Sequence, residues 1–148
     1  MTTYQLLRRS VEEARAAVAR SLPADCKPLR ESLVGMCAVV ACETARRLEL
    51  AGRKPQITYR LGVAAPLCGK HRCPFFVHHF WVECDGYVLD GTAKQLGGPL
   101  ALVSRRRDQG FFDYSKAERS WRTSGAVARF LSKLGWRGPA AALLAEAA

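Results

Sequence analysis

Acidic residues are in short supply: 13 Asp and Glu stand against 23 Lys and Arg, a formal net charge of +10 over 148 residues. That imbalance works against basic partners and favours acidic ones, whether proteins, nucleic acid or an anionic surface. Long apolar runs are missing too. None approaches the roughly 18–20 residues that a transmembrane helix needs, and Met1-Thr2-Thr3-Tyr4-Gln5 does not open a secretory signal. The expectation is a cytoplasmic protein without a membrane span. Internal repeats and low-complexity linkers are also lacking, which excludes solenoids and tethered modules. The six cysteines are scattered rather than spaced as a dense disulfide framework, so a reducing compartment is expected. With 49% hydrophobic residues, the chain has enough apolar material for a single globular domain over 1–148.

Periodicity then places the elements. Tyr4, Leu7, Val11, Ala14 and Val18 mark an amphipathic first helix within 1–22, ending before Pro23. Pro23 to Pro28 reads as a loop. A second helix runs from near Cys37 to about Leu50, with apolar Val40, Ala41, Ala45 and Leu48 at helical spacing and Gly52 as its stop. Gln56-Ile57-Thr58-Tyr59-Arg60-Leu61 reads as a strand, and another is expected near Leu100. Over 115–147 helices are expected: Ser115-Lys116-Ala117-Glu118 has the form of a capping box opening a helix through Trp121. Val127, Phe130, Leu131 and Leu134 continue that helix to Gly135, and a last Ala-rich helix starts at Pro139. The class is α+β.

The chemistry concentrates in 78–90, His-His-Phe-Trp-Val-Glu-Cys-Asp-Gly-Tyr-Val-Leu-Asp. Asp85-Gly86 between aromatic and β-branched runs signals a two-residue hairpin turn whose central residues both take positive φ. The register follows: Cys84 opposite Tyr87, Val82 opposite Leu89, Trp81 opposite Asp90, His79 opposite Thr92. Because side chains alternate between faces, His79, Trp81 and Asp90 share one face and His78 takes the other. Diagonal Cβ atoms across such a pair lie roughly 7–8 Å apart, within reach of an imidazole–carboxylate hydrogen bond. Cys37 is the candidate nucleophile. At the first turn of its helix, unpaired N–H groups and the macrodipole favour the thiolate, the reactive form, and could also bind an oxyanion. His79 would then move the proton, Asp90 would hold the ring's tautomer, and Trp81 would shield their hydrogen bond. Cys42 lies more than a turn deeper in the helix, away from the dipole end, and Cys84 reads as packing.

These residues resemble the papain-like cysteine enzymes, and within them the transglutaminase-like branch. The resemblance rests on Gly35-Met36-Cys37 with Ala41, Ala51-Gly52, His79-Phe80-Trp81-Val82-Glu83 and Asp90-Gly91-Thr92-Ala93-Lys94-Gln95. It spans about Leu33 to Gln95, and its last motif is similar to papain-fold toxin and effector domains of bacteria. Leader peptidases of lasso-peptide biosynthesis have similar Cys/His/Asp cores. The resemblance implies a papain-like core over 33–95, in which the helix carrying the nucleophile packs on a small antiparallel sheet, with additional helices at both termini. It implies a cysteine-dependent acyl transferase with catalytic Cys37, His79 and Asp90, acting without a cofactor or metal on a protein or peptide amide. Protease, glutamine deamidase and transglutaminase all pass through the same thioester. Substrate contacts would fall to Trp81, Gln95, Gly35 and Met36, and an effector would be delivered into a host or target cytosol. Papain's oxyanion-hole glutamine has no counterpart between Gln5 and Gln56, so the hole would be built from backbone. Glycine at 91 replaces the proline of the branch's Asp-Pro-Thr.

Two features compete with this reading. Cys68-Gly69-Lys70-His71-Arg72-Cys73 could begin a zinc site, close a disulfide, or be an ordinary basic loop; zinc would need a further ligand such as His78, and the basic loop is preferred. Such a loop would overhang the site and offer Lys70, His71 and Arg72 to an acidic substrate. Arg8-Arg9 and Arg46-Arg47 fall on polar helical stripes and read as solvated faces, whereas Arg105-Arg106-Arg107 could flank a substrate groove. Nucleic-acid binding is disfavoured, because no stacking-aromatic or recognition-helix pattern accompanies the charge. The rival class is a non-enzymatic basic binding module, with or without zinc, that holds nucleic acid or an acidic protein.

Overall fold

The computed structural model describes residues 1–22 and 36–135. The loop at Pro23–Pro28, Gly35 and the helix expected after Pro139 lie outside the described residues. Helix α1 (Thr3–Ser21) opens with a capping box in which Thr2 and Gln5 each satisfy the other's backbone N–H. It buries Leu7, Val11, Ala14 and Val18 at the expected spacing, while Tyr4 stays exposed. Helix α2 (Cys37–Leu50) ends where Gly52 takes φ +79°, the left-handed geometry that its lack of a side chain permits. Arg47 bridges the two helices by bonding both Glu13 and Glu43.

Five strands form an antiparallel sheet: β1 (Gln56–Ala64), β4 (Phe75–Cys84), β5 (Tyr87–Asp90), β6 (Leu102–Ser104) and β7 (Arg119–Trp121), in the order β6-β5-β4-β1-β7. The α+β class is as expected. The β4–β5 turn is the expected one, with Asp85 at φ 52° and Gly86 at φ 81°, and the ladder pairs Cys84 with Tyr87 and Val82 with Leu89. The sheet has two dissimilar faces. One, carrying Ile57, Tyr59, Phe80, Val82 and Leu89, packs against α1, α2 and helix α3 (Ser124–Lys133). The other, carrying Trp81 and Val88, is covered by a 3-10 turn (Ala93–Leu96) and by the irregular segment holding Phe111, Phe112 and Tyr114.

The C-terminal part corrects one expectation. Residues 115–118 do not start a helix, and Arg119–Trp121 is an edge strand paired with β1. Glu118 donates its N–H to the carbonyl of Tyr59 and accepts the N–H of Leu61 on its carboxylate, while Ser115 turns back to Asp113. The open edge of β1 thus takes the groups that a capping box would have used. The helix begins about two turns later than expected, where Thr123 caps the N–H of Ala126, and it buries Val127 and Leu131.

The segment from Cys68 to Cys73 is not an open basic loop either. It forms a small hairpin of β2 (Leu67–Cys68) and β3 (His71–Arg72) closed by a Cys68–Cys73 disulfide. Among the described residues no group of three or more His, Cys, Asp or Glu is placed to hold a metal, so the zinc variant loses its ligands. Of the three alternatives for this segment, the disulfide is the one formed. Among the described residues no helix is long and apolar enough to cross a membrane.

Candidate active site

The site forms where β5 stops. Because β5 pairs only with Val82, Glu83 and Cys84, the edge of β4 before Val82 has no β5 neighbour, and the start of α2 and the chain after Asp90 close on it. His79 is fully buried, and its Nε2 lies 2.6 Å from Oδ2 of Asp90, itself 2% exposed. Tyr114 donates its hydroxyl to the same oxygen at 2.6 Å. The other oxygen, Oδ1, accepts the backbone N–H of Thr92 at 2.9 Å and the Thr92 hydroxyl at 3.1 Å, a local Asx-type arrangement that suits an aspartate at a strand end. Four donors therefore converge on one buried carboxylate.

Cys37 is the first residue of α2, as its position after the glycine implied, and its Sγ lies 4.0 Å from the carbonyl oxygen of His78 on the edge of β4. With Nε2 engaged by Asp90, the other ring nitrogen of His79, Nδ1, is buried without a hydrogen-bond partner. The thiol is near enough to raise the ring's proton affinity, although not in hydrogen-bond geometry with Nδ1. An unpaired polar atom in a protein interior costs free energy, and such atoms concentrate where a partner has yet to be engaged.

The electrostatics follow from these contacts. Burial alone would lower the pKa of His79, but the charge and hydrogen bond of Asp90, together with the Cys37 thiol, raise it to about 10. Burial pushes Asp90 upward, yet the charge of His79 and the hydrogen bonds from His79, Tyr114 and Thr92 outweigh it and hold the carboxyl below its usual range. The pair is thus an imidazolium–carboxylate ion pair at neutral pH. Burial pushes the Cys42 thiol up to about 11, and burial first of all does the same to Cys84. Neither forms thiolate readily.

Aromatic rings wall the imidazole. Trp81 stacks at 6.2 Å between centroids, and Phe112 meets it edge-on at 5.4 Å. The shielding role expected of Trp81 fits this placement, but its expected contact with substrate does not: Trp81 is 1% exposed, its indole N–H turned to Glu83. Met36, also expected to touch substrate, is instead packed with Val18, Leu22 and Val40. Gln95 is half-buried on the 3-10 turn. Cys37 itself is 3% exposed. One cavity of about 420 Å³ lies beside Cys42, Ile57 and Ser124, and another of about 320 Å³ lies between α1 and Leu100; neither is lined by Cys37, His79 or Asp90.

The basic clusters lie elsewhere. Arg8, Arg9, Arg46 and Arg47 are paired with Glu12, Glu13 and Glu43 along the helices, as solvated stripes should be. Each member of the triplet is engaged nearby: Arg105 lies over the ring of Tyr87, Arg106 bonds the carbonyl of Asp108 and Arg107 pairs with Glu83.

Tyr114 and the donor role of Thr92 were not read from the sequence. The aromatic run Phe111-Phe112-Asp113-Tyr114 is the only signal for Tyr114, and nothing local distinguishes a tyrosine that will donate to Asp90 from one that merely packs. Comparisons with protein families, with curated proteins and with solved structures match none of them to this chain.

Proposed function

We propose that the chain is a cysteine-dependent acyl-transfer enzyme of papain-like type, working through Cys37, His79 and Asp90 on an amide of a protein or peptide. The observation that carries this reading is the division of labour on His79: one nitrogen is locked to a four-donor carboxylate and the other, buried and unbonded, is left for the thiol at a helix start. In the acylation step the Cys37 sulfur attacks the amide carbon, the C–N bond breaks, and the Nδ1 proton of His79 leaves with the amine or ammonia, giving a thioester. Water then attacks the thioester carbon as His79 takes its proton, the C–S bond breaks, and the acid and the thiol are released. Backbone N–H groups at the start of α2 supply the oxyanion site. Peptide cleavage, deamidation of glutamine and transfer to an amine differ only in the leaving and accepting groups. The basic surface favours acidic substrates, and a bacterial effector acting in a target cytosol fits the Asp90-to-Gln95 motif.

Iodoacetamide tests the reading. Selective alkylation of Cys37 near pH 6, lost in His79→Ala, is the expected result, with Cys42 and Cys84 as internal controls that stay unlabelled. Mass spectrometry of candidate substrates would then name the reaction as a cut, a gain of about one dalton or a crosslink.

One observation favours the rival. A thiol only 3% exposed is unreachable without movement, and in a non-enzymatic basic module the same cluster would be a buried polar network that fixes the sheet. Equal, sluggish alkylation of Cys37, Cys42 and Cys84, unchanged in His79→Ala, would decide for that module.

A further inference from the structure

We propose that Tyr114 is a positioning residue of this site: its hydroxyl fixes the Asp90 oxygen that holds His79, and so sets which ring nitrogen faces Cys37. The inference extends the acyl-transfer reading by adding a residue to its machinery.

The argument begins with the geometry at Asp90. Two protons converge on Oδ2, from Nε2 of His79 and from Oη of Tyr114, each at 2.6 Å. A carboxylate that accepted only the imidazole could turn about its Cβ–Cγ bond and still keep that one bond. The Thr92 donors on Oδ1 resist the turn on one side and the phenol resists it on the other. The ring of His79 is held in turn, since its Nε2 has a single place to put its proton.

Tyr114 suits the task because it is itself immobile. It is wholly buried, and its ring meets Phe112 at 4.9 Å, Trp81 at 5.2 Å and His79 at 6.4 Å, all near edge-on. Its neighbour Asp113 is tied to β1 through Arg60, which bonds the Asp113 carbonyl at 2.8 Å. The Tyr114 N–H is bonded to the carbonyl of Arg107. The segment that delivers the phenol is therefore anchored to the sheet independently of β5 and α2, the two elements that deliver Asp90 and Cys37. Burial keeps the phenol protonated, hence a donor and never an acceptor toward Asp90.

Tyr114→Phe removes one oxygen and keeps the ring contacts. With that donor gone the buried carboxylate is less favoured as an anion, and the imidazole beside Cys37 is held less firmly in one tautomer and orientation. Removing one hydrogen bond to a charged group should slow alkylation of Cys37 at pH 6 by about tenfold and lower the melting temperature by only a few degrees, leaving the chain folded. The pH dependence of that rate should also change in Tyr114→Phe, because the variant weakens the counter-charge that Asp90 gives His79. In ¹⁵N-histidine-labelled protein, the Nε2 proton of His79 should give a slowly exchanging downfield signal that broadens in the variant.

Unchanged alkylation, pH profile and proton signal in a folded Tyr114→Phe chain would overturn the proposal. So would a variant that fails to fold, which would make the hydroxyl a structural bond alone. The two readings fail separately. A chain whose Cys37 is not preferentially alkylated sinks acyl transfer, and the Nε2 signal then still decides whether Tyr114 pins the pair.

Discussion

His78 and His79 are neighbours on β4 and share almost nothing else. His79 is fully buried among Trp81, Phe112 and Tyr114 and bonded to a carboxylate. His78, on the opposite face, is half-buried, its Nδ1 2.5 Å from the hydroxyl of Tyr59, with the two rings stacked at 5.9 Å. One step along a strand changes an imidazole's partner from a charged group to a neutral one. The difference teaches that strand alternation, not residue type, assigns the chemistry here.

The contrast can be broken most severely at His79. His79→Ala should reduce alkylation of Cys37 at pH 6 to the background of Cys42 and Cys84, read by peptide mass spectrometry, whereas His78→Ala should leave the selectivity in place. Asp90→Asn strips the counter-charge from a buried imidazole, and chemical denaturation should show a loss of about 3–5 kcal/mol, the usual consequence of breaking a buried pair from one side.

The dependence on pH sharpens the comparison further. A histidine whose pKa rises on folding from 6.5 to about 10 stabilises the fold fully below 6.5 and loses that contribution as the pH climbs through 10. Asp90, held low, contributes above its unfolded value and loses its share in acid. Thermal melts should therefore show stability falling from pH 6.5 toward 10, and Asp90→Asn should flatten that slope; His78→Ala should keep it. A smaller effect is expected at the tip that leads into β4: serine at both Cys68 and Cys73 should cost about 2 kcal/mol or less, because the closed loop is short. Smallest of all, His78→Ala should cost roughly 1 kcal/mol, the value of one partly buried hydrogen bond.

What the sequence made legible was local or strictly periodic. Asp85-Gly86 fixed the β4–β5 register because its turn demands positive φ at both residues, and that register alone put His79 and Asp90 on one face. Gly52 and the spacing of Val40, Ala41, Ala45 and Leu48 bounded α2 for equally local reasons. The papain-like assignment of the core stays a proposal built on those motifs. Failures came where distant chain competed. Ser115 to Glu118 had the letters of a helix cap, but the unpaired edge of β1 offered Glu118 both a carbonyl and an N–H. Tyr114 lies 24 residues from the carboxylate it serves, and no periodicity links the two. Burial of Met36 and Trp81 was equally invisible, since it depends on which face the irregular segment and the helices cover.

Gly91 carries a consequence of its own. A Cβ built there would lie 2.6 Å from Cγ1 of Val40 and 3.4 Å from Cγ1 of Val11, so the link next to Asp90 is a bearing surface on which both long helices rest. Val40 stands three residues past Cys37, on the same rigid rod. The missing methyl therefore acts as a spacer of zero thickness between sulfur and acid, and their separation is gauged at a residue that takes no part in the chemistry.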